Sequence, residues 1–165
     1  MVDDEDLLVA LLNSAPVVDG VVSEALRGRQ GAEFVARFGG AGSTDELGNL
    51  RRMRAALHDT IRANADVSHQ LAELVSAAAM VPDVTPDGIH WTLRVPPDEE
   101  LAVRAALAWS RVMSELPGRL RPCANTECNL FLVDHSRPGT ARWCSMATCG
   151  NRMKARSHAK RQRSA

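Results

Sequence analysis

The four cysteines of this 165-residue chain all lie in one C-terminal segment, in two pairs of equal spacing. Each pair has the form C-x4-C, and fifteen residues separate the pairs; the residues are Cys123, Cys128, Cys144 and Cys149. Zn²⁺ takes four thiolates tetrahedrally in structural sites, and such a site leaves no open position for a substrate. In a reducing compartment, paired cysteines indicate a metal site before disulfides or buried thiols. We therefore predict one structural Zn²⁺, with His135 as a weaker alternative ligand.

The residues around the cysteines predict a small β-hairpin followed by a helix. Apolar residues between the pairs, among them Phe131 and Trp143, flank a turn-like segment at 137–140. We expect the first pair to lead into the first strand, and the final helix to begin near Ser145 or Cys149. Phe131 and Trp143 would then form a minimal core, too small to fold without the metal. The order of these elements is treble-clef-like.

Charge is distributed unevenly along the chain, although the formal net charge is zero. Residues 119–165 carry ten Lys or Arg and two acids, a net +8, whereas residues 1–118 carry ten bases and eighteen acids, a net −8. An asymmetry of this size indicates a polyanion partner for the basic part, although a solvated tail is the alternative. The candidate nucleic-acid-binding residues are Arg137, Arg142, Asn151, Arg152, Lys154, Arg156, Lys160, Arg161 and Arg163.

Two of these residues are suited to base edges as well as to phosphates. Asn pairs well with adenine and Arg with guanine, so Asn151 and Arg152 are the candidates for base contacts. The alternative is structural. Asn151 would then cap the helix or brace a zinc thiolate, and Arg152 would brace Asp134 or the hairpin.

The first 118 residues predict a separate, mostly helical domain of an α+β protein. A capping box, Ser43 with Glu46, begins the clearest helix. Alternation around Trp91 predicts a half-buried strand, and we expect both Trp91 and Trp109 in the core. We predict helices near 3–14, 23–38 (in two pieces broken around 28–31), 43–63, 67–80 and 97–116, hairpins near 17–22 and 81–95, and a turn at Asn64–Asp66.

No set of catalytic roles can be assembled in this body from residue type and spacing, so we do not expect an enzyme. The acidic start lacks the pattern of a signal peptide, and no apolar run has membrane-spanning length, which predicts a cytoplasmic protein. A small-molecule effector site between the helices and the hairpin is compatible with this pattern, and so is a homodimer.

The C-terminal segment resembles the CGNR zinc finger family. The resemblance rests on the C-A-x-x-x-C pair, Phe131, Asp134, Ser136-Arg137, the run Arg142-Trp143-Cys144-Ser145-Met146, and Cys149-Gly150-Asn151-Arg152 with Lys154. The preceding residues resemble, more weakly, the ABATE domain that accompanies this finger in bacterial stress-induced transcription regulators. The resemblance implies an ABATE-like domain at 1–118, a finger at 119–165, and DNA binding by the finger. An RNA-binding protein and a protein–protein adaptor with a purely structural zinc are the alternatives.

Overall fold

The computed structural model describes residues 3–62 and 68–163 and shows a mixed α+β protein that is mostly helical. The helices are α1 (Asp4–Leu12), α2 (Gly28–Arg37), α3 (Thr44–Ile61), α4 (Ser68–Leu74), α5 (Glu100–Glu115) and α6 (Asn151–Arg163). Three antiparallel hairpins complete it: β1 (Val17–Val18) with β2 (Val21–Val22), β3 (Ala79–Thr85) with β4 (Gly88–Arg94), and β5 (Leu120–Pro122) with β6 (Phe131–Val133). Among the described residues, no helix is both long and apolar enough to cross a bilayer.

The core is built around α1, which packs against α5 and α3. Asp3 caps α1 by accepting a hydrogen bond from the Glu5 backbone, and the first turn is acidic, which suits the positive end of the helix dipole. The four leucines of α1 are at most 1% exposed, and each contributes about 1.5–3 kcal/mol by burial. The leucines of α1 therefore lie at the centre of the body.

The predicted capping box at the start of α3 is confirmed, with one difference. The Ser43 hydroxyl accepts a hydrogen bond from the Glu46 backbone N–H at 3.0 Å. The Glu46 carboxylate accepts from the Gly42 N–H at 2.7 Å, one residue before the usual partner. Glu46 is buried beside Gly40, where an added Cβ would lie 2.3 Å from the carboxylate oxygen.

The prediction of a two-piece helix over 23–38 is wrong, because α2 begins only at Gly28 and runs unbroken through Gly31. The preceding residues are held by tertiary contacts instead. The buried Arg54 guanidinium bonds to Glu24 at 2.9 and 2.5 Å and to the Ser14 hydroxyl at 2.6 Å. These long-range bonds outweigh the local helix preference of the segment.

The predicted helix over 67–80 is too long, since α4 ends at Leu74 and the chain enters β3 at Ala79. Residues 79 and 80, which we predicted to be helical, pair with Arg94 and Leu93 in the hairpin instead. The expected core position of Trp91 is also wrong, because its side chain is 61% exposed on β4, whereas Trp109 packs against the core. The turn expected at Asn64–Asp66 lies outside the described residues.

The hairpin of the cysteine segment lies elsewhere than the sequence predicts. Its strands β5 and β6 flank the first cysteine pair, whereas we expected both strands between the pairs. Leu120 and Phe131 belong to the same buried cluster as α1, α3 and α5. Phe131 thus contributes to the core of the body and not to a separate small core. A domain boundary at residue 118 stays a prediction, but the hydrophobic core extends across it.

Asparagine side chains fasten this hairpin to the body. Asn13, at the end of α1, accepts a hydrogen bond from the Phe131 N–H at 2.8 Å and donates one to the Phe131 carbonyl at 3.1 Å. Asn129 accepts from the Val17 N–H at 2.9 Å and donates to the Ala15 carbonyl at 2.7 Å. The amides of Asn13 and Asn129 substitute for the missing neighbouring strand, a role that the sequence alone does not reveal.

Candidate metal centre and basic surface

The first cysteine pair lies in the loop of the β5–β6 hairpin. Cys123 follows β5, and its N–H donates to the Leu130 carbonyl at 2.8 Å. The Cys128 N–H donates to the Asn125 carbonyl at 2.9 Å, which closes a tight turn at residues 125–128. The hairpin and this turn bring Cys123 and Cys128 back toward one point.

The second pair lies where the loop after β6 becomes the final helix. Cys144 ends the loop, and its N–H approaches the Cys123 sulfur at 3.5 Å. Cys149 lies in a π-helical turn, Met146–Gly150, that leads directly into α6. An added Cβ at Gly150 would lie 2.8 Å from the Met146 sulfur, so the Met146 side chain packs directly over this glycine.

The four sulfurs lie within 4.8 Å of one another. The Cys128–Cys144 and Cys144–Cys149 sulfur distances are both 3.7 Å. A disulfide requires about 2.05 Å, whereas a tetrahedral Zn²⁺ with Zn–S bonds of about 2.3 Å separates its sulfurs by about 3.8 Å. The donor set and its spacing therefore fit Zn²⁺, and they confirm the predicted set of four cysteines.

The comparison with known families agrees with this geometry. Residues 119–162 match the family model of the CGNR zinc finger. This segment is a CGNR zinc finger. No curated protein matches the chain. The CGNR finger holds one Zn²⁺ through its four cysteines. The turn with the first cysteine pair, strand β6 and helix α6 follow one another in a treble-clef-like order.

Asn125 supports the metal site of the finger and was not predicted. Its buried side-chain amide donates to the Cys149 sulfur at 3.4 Å, and its carbonyl oxygen accepts from the Glu127 N–H at 3.2 Å. Burial raises the pKa of the Cys149 thiol, but the Asn125 bond and the neighbouring sulfurs outweigh it and lower that pKa overall. Burial raises the pKa of the Cys144 and Cys128 thiols, and bound Zn²⁺ opposes this by stabilising the thiolates.

Asp134 organises the loop between the two cysteine pairs. Its carboxylate accepts hydrogen bonds from the Ser136 and Ala141 N–H groups at 2.9 Å each, and from the Arg121 guanidinium at 2.6 Å. The Ser136 hydrogen bonds foremost, with those from Ala141 and the charge of Arg121, lower the pKa of Asp134 to about 2. Arg121 therefore holds Asp134, whereas Arg152 lies exposed on α6.

His135 is not a ligand in this structure. Its imidazole lies 2.5 Å from the Glu5 carboxylate of α1, and the metal cluster found among the described residues consists of the four cysteines. The His135–Glu5 contact adds another connection between the finger and the body.

Eight of the nine predicted nucleic-acid-binding residues lie on the surface of the finger. The side chains of Arg137, Arg142, Asn151, Arg152, Lys154, Arg156, Lys160 and Arg161 are exposed. Arg163 ends α6, and α6 carries no acidic residue. Arg156 pairs with Glu127 at 2.7 Å, and the Arg142 guanidinium lies 5.3 Å from the Trp143 ring centroid.

The structure separates the two roles considered for Asn151. Among the described residues, its exposed side chain donates to the Ala147 carbonyl at 3.5 Å, whereas Asn125 contacts the cysteine sulfur. Asn151 is thus available on the first turn of α6, and base contact by Asn151 and Arg152 stays a prediction.

Proposed function

We propose that the protein is a transcription regulator that binds DNA through the CGNR finger. The observation that supports this proposal is the exposed basic helix α6, whose N-terminal end is fixed by a zinc ligand, Cys149. A helix held by a metal presents its cations at less entropic cost than an unstructured basic tail.

The arrangement of cations favours phosphate contact. At 100° per residue, Arg152 and Arg156 lie on one side of α6 and Lys154 and Arg161 on another, so cations surround most of the helix. Arg137 and Arg142 extend the basic surface onto the preceding loop. Phosphate contacts position a protein on DNA, and base contacts by Asn151 and Arg152 would add the sequence preference.

In this proposal the zinc has a structural role only. Four thiolates complete the tetrahedral coordination of Zn²⁺, and no position is left for a substrate. We therefore propose a binding protein and not an enzyme. A regulator of transcription would act in the cytoplasm, where the thiols stay reduced.

Fluorescence anisotropy with duplex DNA over a salt series tests the proposal. We expect log Kobs to fall linearly with log salt, with about 0.9 units of slope for each phosphate contact. The double variant Arg152→Gln/Lys154→Gln should lower the slope by about 2 units. The control Arg27→Gln/Arg29→Gln removes the same charge from the exposed start of α2, where Arg29 is 91% exposed, and should leave the slope unchanged.

The same measurement distinguishes the alternatives. Tighter binding of structured RNA than of duplex DNA would favour an RNA-binding protein. If zinc-loaded protein binds no nucleic acid at low salt, the DNA-binding and RNA-binding hypotheses both fail. A protein–protein adaptor with a purely structural zinc then becomes the better interpretation. Equal loss of affinity in the α2 control would show that the attraction is nonspecific.

A further inference from the structure

The β3–β4 hairpin has one face made only of apolar side chains. Directly opposed residues of an antiparallel pair lie on the same face, and here the pairs on one face are Met80–Leu93, Pro82–Trp91 and Val84–Ile89. The opposite face carries the polar pair Asp83–His90 and the charged Arg94. This alternation is typical of a sheet that buries one face.

The outer half of this apolar face is nevertheless exposed. Val84 is 76% exposed, and Ile89 and Trp91 are each 61% exposed. An isolated two-stranded hairpin is marginally stable in water unless its apolar face packs against something. The exposed half of the hairpin therefore lacks a packing partner within the described residues.

An apolar cavity of about 600 Å³ lies at the base of the same face. Its walls come from α4, α5, the end of α3 and the first residues of the hairpin, including Met80 and Leu93, and none of the lining residues is charged. Leu107 of α5 lines it and is 46% exposed. The cavity and the hairpin face therefore form one continuous apolar surface, part hollow and part projecting.

We propose that a second copy of this chain covers this surface. In a twofold dimer, the projecting half of each hairpin lies across the cavity of the other copy, so that one surface supplies both the hollow and the part that fills it. A small ligand in the cavity would cover Met80 and Leu93 but would leave Val84, Ile89 and Trp91, which do not line the cavity, in water.

The exposed area is of the order that a dimer buries. A Trp side chain carries up to about 250 Å², so Trp91 alone exposes on the order of 150 Å². With Val84, Ile89, Met80 and Leu107, the exposed apolar area is on the order of 600 Å², at the upper end of the largest patches that monomers leave exposed. A standard interface buries about 600–1,000 Å² per partner, so this surface reaches the lower end of that range. Trp and Met are also enriched in interfaces from which charges are depleted.

Sedimentation velocity and light scattering on the full, zinc-loaded chain test the dimer. We expect twice the 17.9 kDa mass of the chain for the wild type. Trp91→Lys should halve the mass, and so should Val84→Lys, which lies near the hairpin tip where a charge cannot disturb the core. The matched control is His90→Lys, on the neighbouring position and the opposite face, which should remain dimeric.

Zinc content and far-ultraviolet circular dichroism of each variant verify that it is folded. A monomeric wild type at micromolar concentration would overturn the proposal. So would a dimer that persists in both hairpin-face variants, or a monomer whose native mass spectrum shows a bound small molecule. Because the readout is mass and not DNA affinity, the dimer can fail while the proposed function stands, and the reverse is also true.

Discussion

The substitution Asn13→Ala tests whether the zinc finger is fastened to the body as the structure shows. Asn13 ends α1 and bonds through its amide to both the N–H and the carbonyl of Phe131. The adjoining pair Cys123–Leu130 carries the hairpin hydrogen bond, so the Phe131 N–H and carbonyl point away from β5, and Asn13 supplies a partner to both. Alanine removes both bonds and leaves the apolar contacts of Phe131 in place.

The expected loss can be worked out from these two bonds. Each hydrogen bond contributes about 1 kcal/mol net, and a buried backbone group that loses its partner costs about 1–3 kcal/mol. Because Asn13 is only partly buried and water can reach part of the site, we expect Asn13→Ala to lower the free energy of unfolding by about 2–4 kcal/mol. Urea unfolding of the zinc-loaded protein, followed by tryptophan fluorescence at fixed zinc concentration, measures it.

Asn151→Ala provides the matched control, because it makes the same chemical change in the finger. Its side chain is exposed and makes one long bond of 3.5 Å, so we expect a loss below about 0.5 kcal/mol. If the two variants lose the same stability within that margin, the Asn13–Phe131 hydrogen bonds do not hold the finger to the body, and the role assigned to Asn13 is refuted.

Three further predictions concern the finger itself. Cys144→Ser should reduce bound zinc below one ion per chain in metal analysis and remove the helical signal of α6 while the body stays helical. Asn125→Ala should increase zinc transfer to a chelator by about 10-fold, because Cys149 loses its buried donor. Asp134→Asn should lower the urea midpoint, whereas Asp83→Asn on the exposed hairpin should not. Since the Asp134 pKa falls to about 2 from an unfolded value of about 3.9, its contribution is complete above about pH 4 and is lost as the pH falls toward 2.

The metal ligands and the helical body were predictable because their signals are local. The equal spacing of the cysteines identifies the zinc site, and the Ser43–Glu46 box locates the start of α3 to the residue. The amphipathic leucines of α1 likewise predict its buried face. In each of these cases the residues that determine the structure are close in sequence, so a pattern can reveal them.

The errors arise where distant residues determine the outcome. The Arg54 guanidinium crosses thirty residues to hold Glu24, which keeps the segment before α2 out of the helix. The strand that contains Phe131 pairs with Leu120–Pro122, which precedes the first cysteine. We expected it to pair with the segment around Trp143. The roles of Asn13 and Asn125 have no pattern in sequence, because an asparagine that supports a backbone or a sulfur looks like an asparagine in any turn.

The hydrophobic core and the zinc site stabilise different parts of the finger. The strands β5 and β6 are held by the body, through Phe131 and the asparagine amides, and they bring Cys123 and Cys128 together. The second pair is supported through the first, because the Asn125 amide donates to the Cys149 sulfur and the Ala124 N–H donates to the Arg142 carbonyl near Cys144. We therefore expect the body to preorganise the first pair, and zinc binding to fix the second pair together with the start of the basic helix. Metal occupancy then controls the surface that we propose for DNA, whereas the core of the body and its hairpin face do not depend on it.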